Sequence, residues 1–120
     1  INVVLYLPNN KKRGDVTRLK LLSDIYHEAF ELAYSGQYWK AMTLNGVLTS
    51  SLISNSYNIT RLCLENGALA ASISGNGPAI AAVVNEGKVQ KIKAIFSNLD
   101  GSVIVSRTNN QKATAMREVG

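Results

Sequence analysis

The chain has 120 residues, 46% apolar and 18% charged, with 13 Lys and Arg against 8 Asp and Glu and a net charge of +5. That balance fits one globular domain, residues 1–120, able to bury a continuous core without disulfides or a structural metal. No apolar run approaches the roughly 20 residues of a membrane span, the single Cys excludes an internal disulfide, and one Cys with one His matches no usual metal-ligand spacing.

The opening "INVVLYLP" (1–8) is β-branched and apolar and stops at Pro8, so it reads as a strand. It carries no basic leader, no small-residue cleavage site and no initiator Met. A cytoplasmic chain cut from a longer protein is the expectation. "NNKKRGD" (9–15) is a polar loop whose Asp15 can cap the next helix. From Val16, Leu19, Leu22, Tyr26, Ala29, Phe30 and Ala33 fall at helical spacing, with Lys20, Asp24, Glu28 and Glu31 opposite; Gly36 ends the helix in a left-handed cap. His27 belongs on this helix's surface.

"QYWKAMTLNGVLTSSLIS" (37–54) predicts a second helix. Gly46 in its middle costs about 1 kcal/mol of helix propensity. Close helix packing explains such a glycine more often than close approach of a ligand. A third short helix spans about 59–66, with Asn58 as cap, Cys63 as a small buried apolar residue and Gly67 as stop. "ALAASIS" (68–74) is a strand of small residues, "GNGP" (75–78) a tight turn, and "AIAAVV" (79–84) a strand apolar on both faces, hence central. "KVQKIKAIFSNL" (88–99) is an amphipathic helix and "SVIVSRT" (102–108) the last strand; the polar tail 109–120 has no clear element.

The order is β, three helices, β, β, α, β. This is an α+β, ferredoxin-like split βαβ plan with extra helices in the first crossover. It predicts a four-stranded antiparallel sheet with helices on one face. An RNA-recognition fold shares the plan, and the chain is basic, but its stacking platform needs aromatics in the strands. "LAASIS", "AIAAVV" and "SVIVS" have none, so no nucleic-acid partner is expected. The basic groups, Lys11–Lys12–Arg13 and Lys88, Lys91, Lys93, read as solvated faces.

"SGNGP" (74–78) is the stretch that points to chemistry. Its glycines can take positive φ, and successive amides can then form an anion-binding nest. A plain hairpin needs glycine equally. No G-K-[ST] follows, so it is not a P-loop, and no third glycine precedes a helix, so it is not a dinucleotide fingerprint.

Read together, "ENGA" and "LAASISGNGPAIAAVV" resemble the third motif of the GHMP small-molecule kinases. "GQYWKAMTLNG" (36–46) and "SRTNNQKA" (106–113) are similar to the archaeal shikimate kinase branch of that family. The resemblance covers nearly the whole chain. It implies the family's C-terminal domain. The family's nucleotide loop, of the type P-x-x-x-G-L-x-S-S-A, is not found in these residues. An N-terminal domain is therefore the implied partner. The intact enzyme would pass the γ-phosphoryl of ATP, with Mg²⁺, to the 3-hydroxyl of shikimate or a similar small hydroxylated acid, on the route to chorismate and the aromatic amino acids. The fragment alone is expected to be inactive and to hold no tightly bound cofactor. Its exposed domain face offers a route to a homodimer.

By the same resemblance Ser74, Gly75, Asn76, Gly77 and Pro78 form the glycine loop at the substrate and phosphate site. Arg13, Thr43, Asn45, Arg107, Asn109 and Asn110 are candidates to meet the substrate or the partner domain, with a solvated or packing role as the alternative for each. No catalytic base and no metal ligand is assigned. The alternatives are another GHMP kinase, such as homoserine kinase, or a non-catalytic ferredoxin-like module that binds a small ligand.

Overall fold

A computed structural model describes residues 1–9, 16–53, 57–74 and 77–109. Its strands are β1 (Asn2–Pro8), β2 (Ala70–Ile73), β3 (Ile80–Val84) and β4 (Gly101–Arg107), and its helices α1 (Ser23–Tyr34), α2 (Tyr38–Ile53), α3 (Tyr57–Glu65) and α4 (Val89–Ser97). The sheet runs β2-β3-β1-β4, every pair antiparallel. β1 and β2 are therefore parallel with β3 between them, and β3 and β4 are parallel with β1 between them. These are two interleaved split βαβ units, the plan expected from the sequence. β3 is central, as its two-sided apolarity requires.

Alternation along β1 sorts the sheet into two faces. Val4 and Tyr6 are buried, while Leu7 is exposed. The register carries the buried face through Ala82 and Ile80 of β3 to Ala71 and Ile73 of β2. Cys63 of α3 and Ile92 and Phe96 of α4 close over it. Tyr6 stacks on Phe96 with ring centroids 5.5 Å apart, and its hydroxyl donates to the Asp100 carbonyl at 2.9 Å. Burial and the nearby Asp100 carboxylate both raise the Tyr6 phenol above its ordinary pKa.

The helices are not all on that face. Ser72 pairs with Ala81 and so points the other way. A Cβ added at Gly46 would stand 2.7 Å from Ser72 Cβ and 2.8 Å from its Cα. α2 thus lies directly on β2 from the opposite side, with α1 packed outside it. The chain of small residues in β2 permits this: Ala70, Ala71 and Ser72 are buried from both sides. Gly46 is a packing residue, and the contact is helix on strand rather than helix on helix.

The predicted first helix is two segments. Val16–Leu22 winds as a 3-10 helix and the α-helix begins only at Ser23. Asp15, the expected cap, lies outside the described residues. Asn58 falls inside α3 rather than capping it. The C-terminal ends follow the sequence. After α1, Gly36 (φ 87°) and Gln37 donate their amides to Ala33 and Leu32; after α3, Gly67 (φ 99°) and Ala68 donate to Leu64 and Cys63. Both are closures with glycine in the left-handed region, where an L side chain would be strained.

Candidate functional site

The glycine turn joins β2 to β3. Ser74 donates its amide to the Ala79 carbonyl at 2.7 Å, and Gly77 donates to the Ser74 carbonyl at 3.1 Å. Gly77 has φ 80° and precedes a cis peptide bond to Pro78. Ser74 is exposed; Gly77 and Pro78 are half-buried. Gly75 and Asn76 lie outside the described residues. The Gly77 amide is taken up inside the turn, so it does not join an anion-binding nest in this conformation.

α2 stands beside this turn. Gly46 sits over Ser72, two residues before Ser74, which brings the middle of α2 to the strand end where the turn begins. Thr43 is half-buried and Asn45 exposed on that stretch. Asn45 also borders a shallow groove between α1 and α2, about 420 Å³ in volume, lined with Tyr26, Phe30, Tyr38 and Met42. Tyr26 and Thr49 share a hydroxyl hydrogen bond of 2.8 Å at its base, and Thr49 in turn donates to the Asn45 carbonyl at 2.8 Å. Phe30 is 59% exposed and Tyr34 83%, with Phe30 stacked between His27 and Tyr34 at 5.9 and 6.1 Å. Phe30 shares the apolar helical spacing of Tyr26, Ala29 and Ala33 but is largely exposed. Aromatics at 26, 30, 34 and 38, a spacing of four, were the available sign of an aromatic stripe along the helices.

Arg107 and Asn109 are elsewhere. The turn adjoins Ile80, which pairs with Tyr6, whereas Arg107 pairs with Asn2. Arg107 and Asn109 therefore belong to the opposite end of the sheet, on the order of 13 Å or more along the strands. Arg107 meets Glu86 at 3.6 Å, both side chains exposed. Thr108 is tied to the Ile1 carbonyl at 3.0 Å. Arg13 and Asn110 lie outside the described residues. The sheet end that carries the turn instead holds Asn9 and Asp100, joined side chain to side chain at 2.7 Å.

Cys63 is fully buried, and burial pushes its thiol up to about 11, which marks it as packing rather than a nucleophile. His27 is an exposed residue of α1 beside Glu31 at 3.2 Å. Among the described residues no three His, Cys, Asp or Glu side chains stand close enough to hold a metal ion, and no helix is long and apolar enough to cross a membrane.

The family model for the C-terminal part of GHMP kinases matches residues 20–100. The chain belongs to the GHMP kinases. The match takes in the aromatic helices, the glycine turn and α4. Among curated relatives, a shikimate kinase of Methanobrevibacter smithii is 38% identical over 90% of this chain and 38% of its own length. One from Methanothermobacter thermautotrophicus is 36% identical over 91% of this chain and 39% of its own. The chain thus spans about two fifths of the relatives it matches. Among solved structures, homoserine kinase from Cytophaga hutchinsonii superposes with a TM-score of 0.60 at 21% identity, covering 92% of this chain and 42% of that one. That likeness carries the fold alone.

Proposed function

We propose that this chain is the C-terminal domain of an archaeal-type shikimate kinase. The observation that carries the reading is the identity of 36–38% to shikimate kinases over about nine tenths of the chain. In the proposed reaction the acceptor hydroxyl oxygen attacks the γ-phosphorus of ATP, ADP leaves and the hydroxyl proton is released. Phosphoryl transfer of this kind asks for positioning and charge stabilisation rather than a covalent intermediate. An N-terminal GHMP domain supplies the nucleotide loop, and the enzyme works in the cytoplasm.

Mg²⁺ is the metal such a kinase would use. The described residues offer no donor set for it. Its ligands belong to the nucleotide and the partner domain, and no step through it is assigned to this chain. The part proposed for this chain is to shape one wall of the acceptor site. The turn Ser74–Pro78 and the neighbouring stretch of α2, with Thr43 and Asn45, would form that wall. Arg107 and Asn109, at the far end of the sheet, are left to other contacts.

The test is acceptor-dependent ADP release by the full-length polypeptide, with shikimate and homoserine side by side. Turnover with shikimate alone supports the reading. Turnover with homoserine alone would replace it with the homoserine kinase alternative. The 120-residue chain by itself should release no ADP with either acceptor.

A further inference from the structure

We infer that β4 is the seam of a homodimer, in which a second copy adds antiparallel across Ile104 to make one continuous eight-stranded sheet. β4 is an edge strand: it pairs with β1 on one side, and among the described residues no strand pairs with the other. Proteins usually blunt such an edge with lysine, proline, a bulge or a cover. The second edge strand, β2, is four residues long and lies under α2. β4 has seven residues, Gly-Ser-Val-Ile-Val-Ser-Arg, with neither lysine nor proline, and Ile104 and Val105 are 46% and 42% exposed.

Its sequence is self-complementary. Ser102-Val103-Ile104-Val105-Ser106 reads the same in both directions. A two-fold axis through Ile104 therefore sets Ile104 against Ile104, Val103 against Val105 and Ser102 against Ser106. β-branched residues suit a pleated surface packed against cross-strand neighbours, and directly opposite side chains come within about 4.5–5.5 Å of one another. The rows behind the seam also match. Ile104 pairs with Leu5, which pairs with Ala81, so one apolar row would run through both copies. Charge fits at the ends: Arg107 of one copy would face Gly101 of the other, one residue from its Asp100. The existing contact of Arg107 with Glu86, 3.6 Å long and exposed, is easily exchanged.

Sedimentation velocity on the full chain, together with cysteine cross-linking, tests this. Cys63 is fully buried and does not compete. Residues directly opposite across an antiparallel seam have Cα atoms about 4.5–5.5 Å apart, within disulfide reach. Ile104→Cys should then give a covalent dimer under mild oxidation. Ser102→Cys, about 13 Å from its own copy in this register, should not. Ile104→Lys should weaken the dimer by roughly 100-fold, because it forces two like charges together. A monomeric full chain would overturn the inference. So would a dimer that ignores Ile104→Lys, or one in which Ser102→Cys links as readily as Ile104→Cys.

Discussion

Replacing Gly46 by alanine is the sharpest probe of how α2 is set against the sheet. The new Cβ would stand 2.7 Å from Ser72 Cβ and 2.8 Å from Ser72 Cα. Carbon atoms in ordinary contact are about 3.5–4.0 Å apart, so helix and strand must separate by roughly 1 Å. β2 cannot yield easily, since Ala70, Ala71, Ser72 and Ile73 are all buried. Overpacking of this kind costs about 3 kcal/mol at its upper end. Against it, alanine gains about 1 kcal/mol of helix propensity over glycine. The net loss is about 2 kcal/mol, or a melting temperature lower by about 8 °C for a domain of this size. Circular dichroism melts and urea titration of wild type, Gly46→Ala and Gly46→Ala/Ser72→Gly give the answer. The double variant should recover part of the loss as a coupling energy of about 0.5 kcal/mol or more. A Gly46→Ala protein more stable than wild type by about 1 kcal/mol would refute the close contact, because only the propensity gain would then be acting.

Tyr6→Phe should lower stability by about 1 kcal/mol in urea titration, since it removes the hydroxyl's bond to the Asp100 carbonyl and keeps the stack on Phe96. Gly77→Ala should cost about 1–2 kcal/mol through its φ of 80°, although the new Cβ would meet only Ile73 Cδ1 at 3.9 Å. Stability should also fall in alkali. Cys63 binds its proton more tightly folded, at about 11 against an ordinary 9.0, so its contribution is intact below pH 9 and is lost as pH rises toward 11. The raised Tyr6 phenol acts in the same direction. Urea midpoints across that range should decline, and Cys63→Ser should flatten the slope. A thiol reagent should leave the native Cys63 unmodified and label it only in denaturant.

Much of the fold was legible because its signals are local. Gly36 and Gly67 mark helix ends through backbone conformations that glycine adopts without strain, and both stand there. The two-sided apolarity of residues 79–84 marked the central strand. The side of the sheet taken by α2 was not legible, because it depends on a contact between Gly46 and Ser72 with no periodic trace in the sequence. That Phe30 stands largely exposed despite its apolar spacing was not legible for a related reason. Helical spacing gives a stripe, but not whether neighbours cover its whole width. Arg107 was a candidate contact to the substrate or the partner domain, and only the register of β1 with β4 shows that it stands at the sheet end away from the glycine turn.

The hydrogen bonds of the turn decide how its proposed role must be tested. The Ser74 and Gly77 amides close the hairpin itself, and Gly77 takes a positive φ there. Any side chain at Gly77 therefore harms folding whether or not a ligand binds nearby. A loss of turnover in such a variant would not separate the hairpin from the acceptor site. Ser74→Ala avoids the confusion, since it keeps the backbone bonds and changes only an exposed hydroxyl. Its stability should stay within about 0.5 kcal/mol of wild type. If the turn lines the acceptor site, the same change in the full-length enzyme should alter turnover or the KM for shikimate by about tenfold, the effect of one lost hydrogen bond of about 1.4 kcal/mol. Unchanged melting with unchanged kinetics would return Ser74 to the hairpin alone.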